Sequence, residues 1–123
     1  MNKITILLIL LLIYTVGATA SIMRCDSFYL TKANSLNGVS LFYAKSLGER
    51  FLEELVPDRE TKKGKMILQE WQLKPRESVK LFVACVYKDE SQTAKEIPRT
   101  VSSCEFTFAE EKQPRQNNSF SCS

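Results

Sequence analysis

The sequence predicts an α+β domain in which one amphipathic helix packs on an antiparallel sheet of about six or seven short strands, tied by two disulfides. Three observations predict this class. Most segments after residue 20 alternate between apolar and polar residues or form short apolar runs, as strands do. The segment 46–56 has apolar residues at helical spacing instead. The chain of 123 residues allows one domain, and its 4 widely spaced Cys are typical of an exported, disulfide-stabilised protein.

The first twenty residues predict a signal peptide and not a part of the fold. Lys3 supplies the positive charge, Ile4–Val16 is an apolar run, and Ala18 and Ala20 form a small-residue cleavage site. The apolar run is shorter than the roughly 20 residues that a membrane-spanning helix needs. We therefore expect cleavage after Ala20, export to the periplasm or the medium, no membrane span after processing, and a single small disulfide-stabilised domain over residues 21–123.

The first elements after the signal peptide are two strands and the helix. Strands are predicted at Cys25–Leu30 and Val39–Tyr43, with a polar stretch between them. Ser46 and Glu49 have the spacing of a helix capping box, and Pro57 ends the helix that follows. The apolar face that we expect to pack on the sheet consists of Leu47, Phe51, Leu52, Leu55 and Val56.

A polar loop and the remaining strands complete the predicted domain. Asp58–Lys65 has the composition of a loop, and Leu81–Val86 is continuously apolar, as in a central strand that is covered on both faces. Strands are predicted at Met66–Leu73, Val79–Tyr87, Thr93–Ile97 and Val101–Ala109, and a last one near the C-terminus. The first two of these form a hairpin in this prediction. The resulting sheet can curl towards a half-barrel.

The spacing of the cysteines favours one disulfide pairing. Cys104 and Cys122 lie at equal distances from the hairpin turn predicted at residues 111–115, so they face each other on paired strands. This favours a Cys104–Cys122 disulfide and leaves Cys25–Cys85 to join the first strand to the central one. Four cysteines allow three connectivities, and the other two stay open.

Several short segments form a pattern along the chain. They are Gly38–Phe42, Leu55–Asp58, Trp71, Cys85–Tyr87, Pro98 with Cys104, and Cys122. With this G-V-x-L-F … L-V-P-D … C-x-Y … C pattern, the chain resembles a family of small exported proteobacterial proteins of unknown function. The resemblance covers nearly all of the chain after the signal peptide. It implies a periplasmic or secreted bacterial protein and supplies no catalytic residues.

The residue types present argue against an enzyme. The chain has no His, which removes the commonest general acid or base and the commonest metal ligand. Adjacent carboxylates occur at 53–54, 89–90 and 110–111, but glycosidase chemistry needs two carboxylates that face each other across a cleft. A Gly-rich phosphate loop and a C-x-x-C zinc motif are also missing. We therefore expect no catalytic residues, no cofactor and no metal.

Two features are candidates for binding. The densest basic cluster is either a contact for an acidic partner or a solvated loop, and it consists of Arg59, Lys62, Lys63 and Lys65. Trp71 is either a core residue opposite Leu81 or an exposed anchor that stacks on a sugar or a protein. The net charge of +3 is too small to indicate a nucleic-acid partner.

These observations predict an exported, small, non-catalytic binding protein, such as an inhibitor or an immunity-type protein against a cell-wall-active enzyme. Its partner is then a protein in the periplasm or outside the cell. The alternative is an envelope-associated accessory protein that binds peptidoglycan, polysaccharide or lipid. A third possibility is a hydrolase with an unrecognised carboxylate site. The oligomeric state is open.

Overall fold

The computed structural model describes residues 23–46, 48, 50, 52–75, 79–110 and 117–123, and the predicted signal peptide lies outside them. Nine strands are found in this part of the chain: β1 Met23–Cys25, β2 Leu36–Ala44, β3 Glu53–Leu55, β4 Arg59–Lys63, β5 Met66–Gln72, β6 Lys80–Tyr87, β7 Gln92–Ile97, β8 Ser103–Ala109 and β9 Ser119–Cys122. They form two antiparallel sheets, of order β1-β9-β8-β5-β4 and β3-β2-β6-β7. The predicted α+β class with a single sheet is therefore wrong, because the described residues form a β-sandwich. Among these residues no helix is long and apolar enough to cross a membrane.

The predicted amphipathic helix is absent from the described residues of the range 46–56. Glu53–Leu55 is an edge strand that pairs with β2. Gly48 has a φ of 89°, which a right-handed helix does not allow. Leu52 and Val56, which the pattern assigns to a buried helix face, are 57% and 80% exposed. A helix of three turns is marginal by itself in water, so pairing with the preceding strand β2 outweighs the local pattern. Three residues of this prediction lie outside the described part of the chain: Leu47, Glu49 and Phe51.

Two further predictions about the middle of the chain are wrong. Most of the predicted loop Asp58–Lys65 is strand β4, and Gly64, with a φ of 61°, makes the tight turn into β5. The predicted hairpin of β5 with β6 does not form, because β5 pairs with β4 and β8. The chain instead crosses from the first sheet to the second between β5 and β6. At the start of the chain, β1 ends at Cys25, and the rest of the strand predicted there belongs to a loop.

The predictions for the central strand and the C-terminal hairpin agree with the structure. β6 lies between β2 and β7, as the apolar run predicts. Cys104 faces Cys122 in the β8–β9 pair, and Phe106 faces Phe120. One disulfide joins Cys104 to Cys122. The other joins Cys25 of β1 to Cys85 of β6. The predicted turn at 111–115 lies outside the described residues.

The core lies between the two sheets, and Trp71 belongs to it. This side chain is 3% exposed, so it is not a surface anchor. Its indole N–H donates a hydrogen bond across the sandwich to the carbonyl oxygen of Leu55 at 3.3 Å. Its ring meets Phe120 edge to face, with 6.3 Å between centroids. The pairing of Trp71 with Leu81 across a hairpin is therefore wrong, since Trp71 lies opposite Cys104 in its own sheet.

The alignment of the sheets leaves β4 beyond the edge of the sandwich. On one side the Trp71–Leu55 hydrogen bond places β3 over β5. On the other side Lys95 of β7 donates to the carbonyl oxygen of Arg24 in β1 at 3.3 Å. The first sheet has five strands and the second has four, so β4 has no strand of the second sheet above it.

The strand directions bring four chain segments to one end of the sandwich, which we call the loop end. They are the β1–β2 loop, the β4–β5 turn, the β6–β7 turn and the residues after β8. Buried Asn118 joins the two sheets there, since its amide donates to the carbonyl oxygen of Leu36 at 2.9 Å and accepts from the N–H of Ala109 at 3.1 Å.

Candidate partner-binding surface

Strand β4 carries the predicted basic cluster along one edge of the first sheet. Side chains alternate along a strand, so Arg59 and Lys63 lie on the outer face, whereas Lys62 lies on the face towards the second sheet. All three are exposed, and so is Lys65 in the turn that follows. The structure therefore brings together the four residues predicted from the sequence. It places them on an overhanging edge strand and its turn instead of in a loop.

Two of these cations have acidic partners within the protein. Lys62 Nζ lies 2.7 Å from Glu110 Oε2, and Arg59 Nε lies 3.9 Å from Glu70 Oε2. Exposed pairs of this kind contribute at most about 1 kcal/mol to stability, so a binding partner can displace them. Within the described part of the chain, Lys63 and Lys65 have no carboxylate within 4.0 Å. The edge therefore carries two solvated cations, Lys63 and Lys65, beside two cations that lie next to carboxylates, and Glu60 is an exposed carboxylate on the same strand.

The described carboxylates among those that the sequence singles out lie on different elements, and Glu111 lies outside the described residues. Glu54 lies on the edge strand β3 and accepts a hydrogen bond from Ser40 Oγ at 2.7 Å. Asp89 lies in the β6–β7 turn, at the loop end. The sequence did not indicate that Glu70 and Glu105 are neighbours, because 35 residues separate two strands that pair. No cluster of His, Cys, Asp or Glu among the described residues is arranged to hold a metal ion.

The β1–β2 loop displays an apolar side chain at the loop end. Leu30 is 84% exposed, and its φ of 69° lies in the left-handed region. A residue with a Cβ adopts this conformation at a cost of roughly 1–2 kcal/mol. Phe28, two residues earlier, is 38% exposed. The loop thus holds Leu30 in an unfavourable backbone conformation with its side chain in water.

Asn34 fixes this loop against the neighbouring β6–β7 turn. Its side chain is buried, donates to the carbonyl oxygen of Tyr29 at 3.0 Å and to Ser91 Oγ at 3.4 Å, and accepts from the N–H of Asp89 at 3.1 Å. Tyr29 also stacks on Tyr87, with 5.1 Å between ring centroids. These contacts order the loop on both sides of Leu30.

Two titratable groups belong to the same end. Hydrogen bonds from Ser91 hold the pKa of Asp89 below its ordinary value of 3.8. Burial raises the pKa of the Tyr87 phenol above 10.0. At neutral pH Asp89 is therefore ionised and Tyr87 is neutral, so the turn carries fixed negative charge beside the loop.

Sequence reasoning did not single out Leu30 as a surface residue. It lies at the end of a run with strand-like composition, and its exposure depends on how Asn34 contacts a turn 55 residues away. Val56 was missed for a similar reason, because its helical spacing suggested burial. A local pattern indicates which residues are apolar, and tertiary contacts decide which of them face water.

The comparisons with known proteins give one match. Residues 31–123, most of the chain, match the family described as Type VI secretion system Tli immunity protein. No curated protein and no solved structure matches the chain. The match confirms the expectation of an immunity-type protein, and it assigns a role where the sequence pattern alone suggested a family of unknown function. The chain belongs to the Tli family of type VI secretion system immunity proteins.

Proposed function

We propose that this chain is exported after cleavage of its signal peptide at Ala20 and neutralises a type VI effector by binding it without catalysing a reaction. Membership of an immunity family carries the proposal. The two disulfides support it, because disulfides persist in oxidising compartments such as the bacterial periplasm. The effector that we propose is a cell-wall-active enzyme, which would act in that same compartment.

The overhanging strand β4 and its turn form the first contact surface that we propose. Positive charge at an interface steers an acidic partner into contact and mainly raises the association rate. Because β4 has no strand of the second sheet above it, a partner can approach its outer edge and both of its faces. Backbone groups on that edge can also pair with an extended segment of the effector.

The first experiment tests the proposal as a whole. The chain without its signal peptide is mixed with the purified type VI effector of the same bacterium, and complex formation is measured by calorimetry together with the activity of the effector. We expect a stoichiometric complex and loss of effector activity. The absence of binding between the two purified proteins would contradict the proposed function.

The second experiment tests the surface. Replacing Arg59, Lys62 and Lys63 with Ala should slow association with the effector by about tenfold at low salt, and less at high salt, where charges are screened. The matched control removes three positive charges from connections at the other end of the sandwich, at Lys45, Lys74 and Arg99. An equal effect of both triple variants would assign the result to net charge and not to β4.

Sedimentation with purified cell wall separates this function from the envelope-associated alternative. Burial of Trp71 removes the one indole that could stack on a sugar. We expect the chain to stay in the supernatant at physiological salt. Strong sedimentation with cell wall, combined with no affinity for the effector, would favour the accessory protein instead.

A further inference from the structure

We propose that Leu30 is an apolar anchor that inserts into a pocket on the effector protein when the complex forms. The inference rests on the proposed function, because it names the way in which the same effector is held. The family match begins at residue 31, so the role of Leu30 is an inference about this chain and not about its family.

The first argument is energetic. Leu30 combines two unfavourable features, a left-handed backbone and an aliphatic side chain that is 84% exposed. Glycine would remove the backbone strain, and a polar residue would suit the exposure. Neither feature stabilises the core, since Leu30 lies outside the cluster of buried residues. Strained residues of this kind are concentrated at binding and active sites, where the surrounding structure holds them in place.

The second argument is that the tip of the loop is ordered before binding. The Asn34 side chain joins the loop to the β6–β7 turn by two hydrogen bonds, one to Ser91 Oγ and one from the N–H of Asp89. Within the loop it donates to the carbonyl oxygen of Tyr29, and the N–H of Tyr29 donates to the Asn34 carbonyl oxygen at 3.0 Å. The N–H of Leu36 closes the base of the loop with the carbonyl oxygen of Ser27 at 2.7 Å. A side chain presented by an ordered loop loses little entropy on binding, which favours affinity.

The third argument is position. The β1–β2 loop and the β4–β5 turn lie at the same end of the sandwich, so Leu30 shares the loop end with Lys63 and Lys65. The loop and the turn lie at opposite edges of the five-stranded sheet, so only a partner that covers this end of the sandwich reaches both. Such a partner contacts both the tip and the basic edge.

The charges beside the tip favour a protein pocket over a membrane surface. The charges beside Leu30 have both signs: the turn carries Lys88, Asp89 and Glu90, the loop carries Lys32, and all four are exposed. This mixture is not the cluster of positive charge that attracts a protein segment to anionic lipid headgroups. A single leucine also buries little area in a bilayer, whereas it can fill a pocket of matching size on a protein.

The test compares three variants in the chain without its signal peptide, against the same purified effector. Leu30→Gly should weaken binding by about tenfold or more. Its unfolding temperature should equal or exceed that of the wild type, because glycine adopts this φ without strain. Leu30→Met should retain affinity within about threefold, since methionine can fill a similar pocket. Val56→Ala, which shortens another exposed apolar side chain, is the control and should leave affinity unchanged.

Each outcome distinguishes this inference from the function on which it rests. If the wild type binds the effector and Leu30→Gly binds equally well, the anchor is wrong and the proposed function stands. A lower unfolding temperature for Leu30→Gly would assign Leu30 a structural role and overturn the anchor. Binding to phosphatidylethanolamine–phosphatidylglycerol vesicles that Leu30→Gly abolishes, with effector affinity unchanged, would assign the tip to a membrane and overturn it too. No effector binding by the wild type would contradict both proposals.

Discussion

The two disulfides connect the molecule in different ways. Cys104–Cys122 joins neighbouring strands of one sheet, across a sequence separation of 18 residues, where the backbone of β8 and β9 is already hydrogen-bonded. Cys25–Cys85 joins β1 of the first sheet to β6 of the second, across 60 residues. Among the residues that the structure describes, no strand pairing connects these two sheets.

This difference shows that Cys25–Cys85 is the disulfide that supports the β1–β2 loop. Cys25 directly precedes the loop, and Cys85 is two residues before the end of β6, which leads into the β6–β7 turn. Asn34 joins that same loop to that same turn. A covalent bond and a buried hydrogen-bond network therefore hold the two segments that position Leu30, whereas Cys104–Cys122 acts at a distance from them.

The largest effect is expected from removing the disulfide between the sheets. Replacing Cys25 and Cys85 with Ala should lower the free energy of unfolding by about 4 kcal/mol, because the bond closes the longer loop in the unfolded chain. Urea denaturation of the chain without its signal peptide measures this loss. Effector affinity should fall as well, since the loop that presents Leu30 loses its covalent attachment.

A smaller effect is expected for the disulfide within the sheet. Replacing Cys104 and Cys122 with Ala should lower the free energy of unfolding by about 3 kcal/mol in the same assay. Effector affinity should stay close to that of the wild type once the protein is folded. A loss of stability larger than that of the Cys25 and Cys85 variant would contradict the comparison.

The next largest loss of stability is expected from removing the buried hydrogen bonds of Asn34. Asn34→Ala leaves the carbonyl oxygen of Tyr29 and the N–H of Asp89 without their partner and should cost about 2 kcal/mol. Asn37→Ala, at an exposed position of β2, is the control and should cost little.

A double-mutant cycle sharpens this prediction. If Asn34 and the Cys25–Cys85 bond support one junction, the losses of stability will not add, whereas Asn34 and Cys104–Cys122 should behave independently. Additive losses in both cycles would mean that the network and the disulfide between the sheets act on separate parts of the protein.

The smallest effect is expected on the pH dependence of the free energy of unfolding. Because the folded-state pKa of Asp89 lies below its ordinary value of 3.8, the carboxylate contributes stability at pH values above 3.8. That contribution is lost as pH falls through the lower folded-state pKa. Asp89→Asn should remove this part of the acid dependence, measured by urea denaturation between pH 2 and pH 5. An unchanged acid profile would mean that the hydrogen bonds from Ser91 do not bias the titration.

Local patterns predicted two parts of the structure correctly. The β8–β9 hairpin and its disulfide follow from equal distances to one turn, and the position of β6 follows from its apolar run. Sequence separation does not explain the failures, because β3 pairs with β2 and β4 pairs with β5, each its neighbour along the chain. Residues 53–55 have helical spacing, but the edge of β2 offers them hydrogen bonds and a place for Leu55 in the core. Similarly, the connection after β5 is short enough for a hairpin, and only the packing of two sheets shows that it crosses between them.

The candidate surface was predictable in part. The basic residues are neighbours in the sequence, so their cluster was found without the fold. Their position on an edge strand depends on the pairing of β4 with β5, which composition alone placed in a loop. Leu30 could not be found, because its exposure is set by Asn34 and a turn from another part of the chain.

The overhang of β4 has a consequence for how the protein can evolve. Substitutions at exposed positions usually change stability by less than about 0.5 kcal/mol, so β4 can change its charge while folding is preserved. If effectors diverge by altering their acidic surface, an immunity protein can follow them through mutations in a single strand. The cysteines and the core residues would then stay unchanged, while substitutions in β4 alter which effector the protein binds.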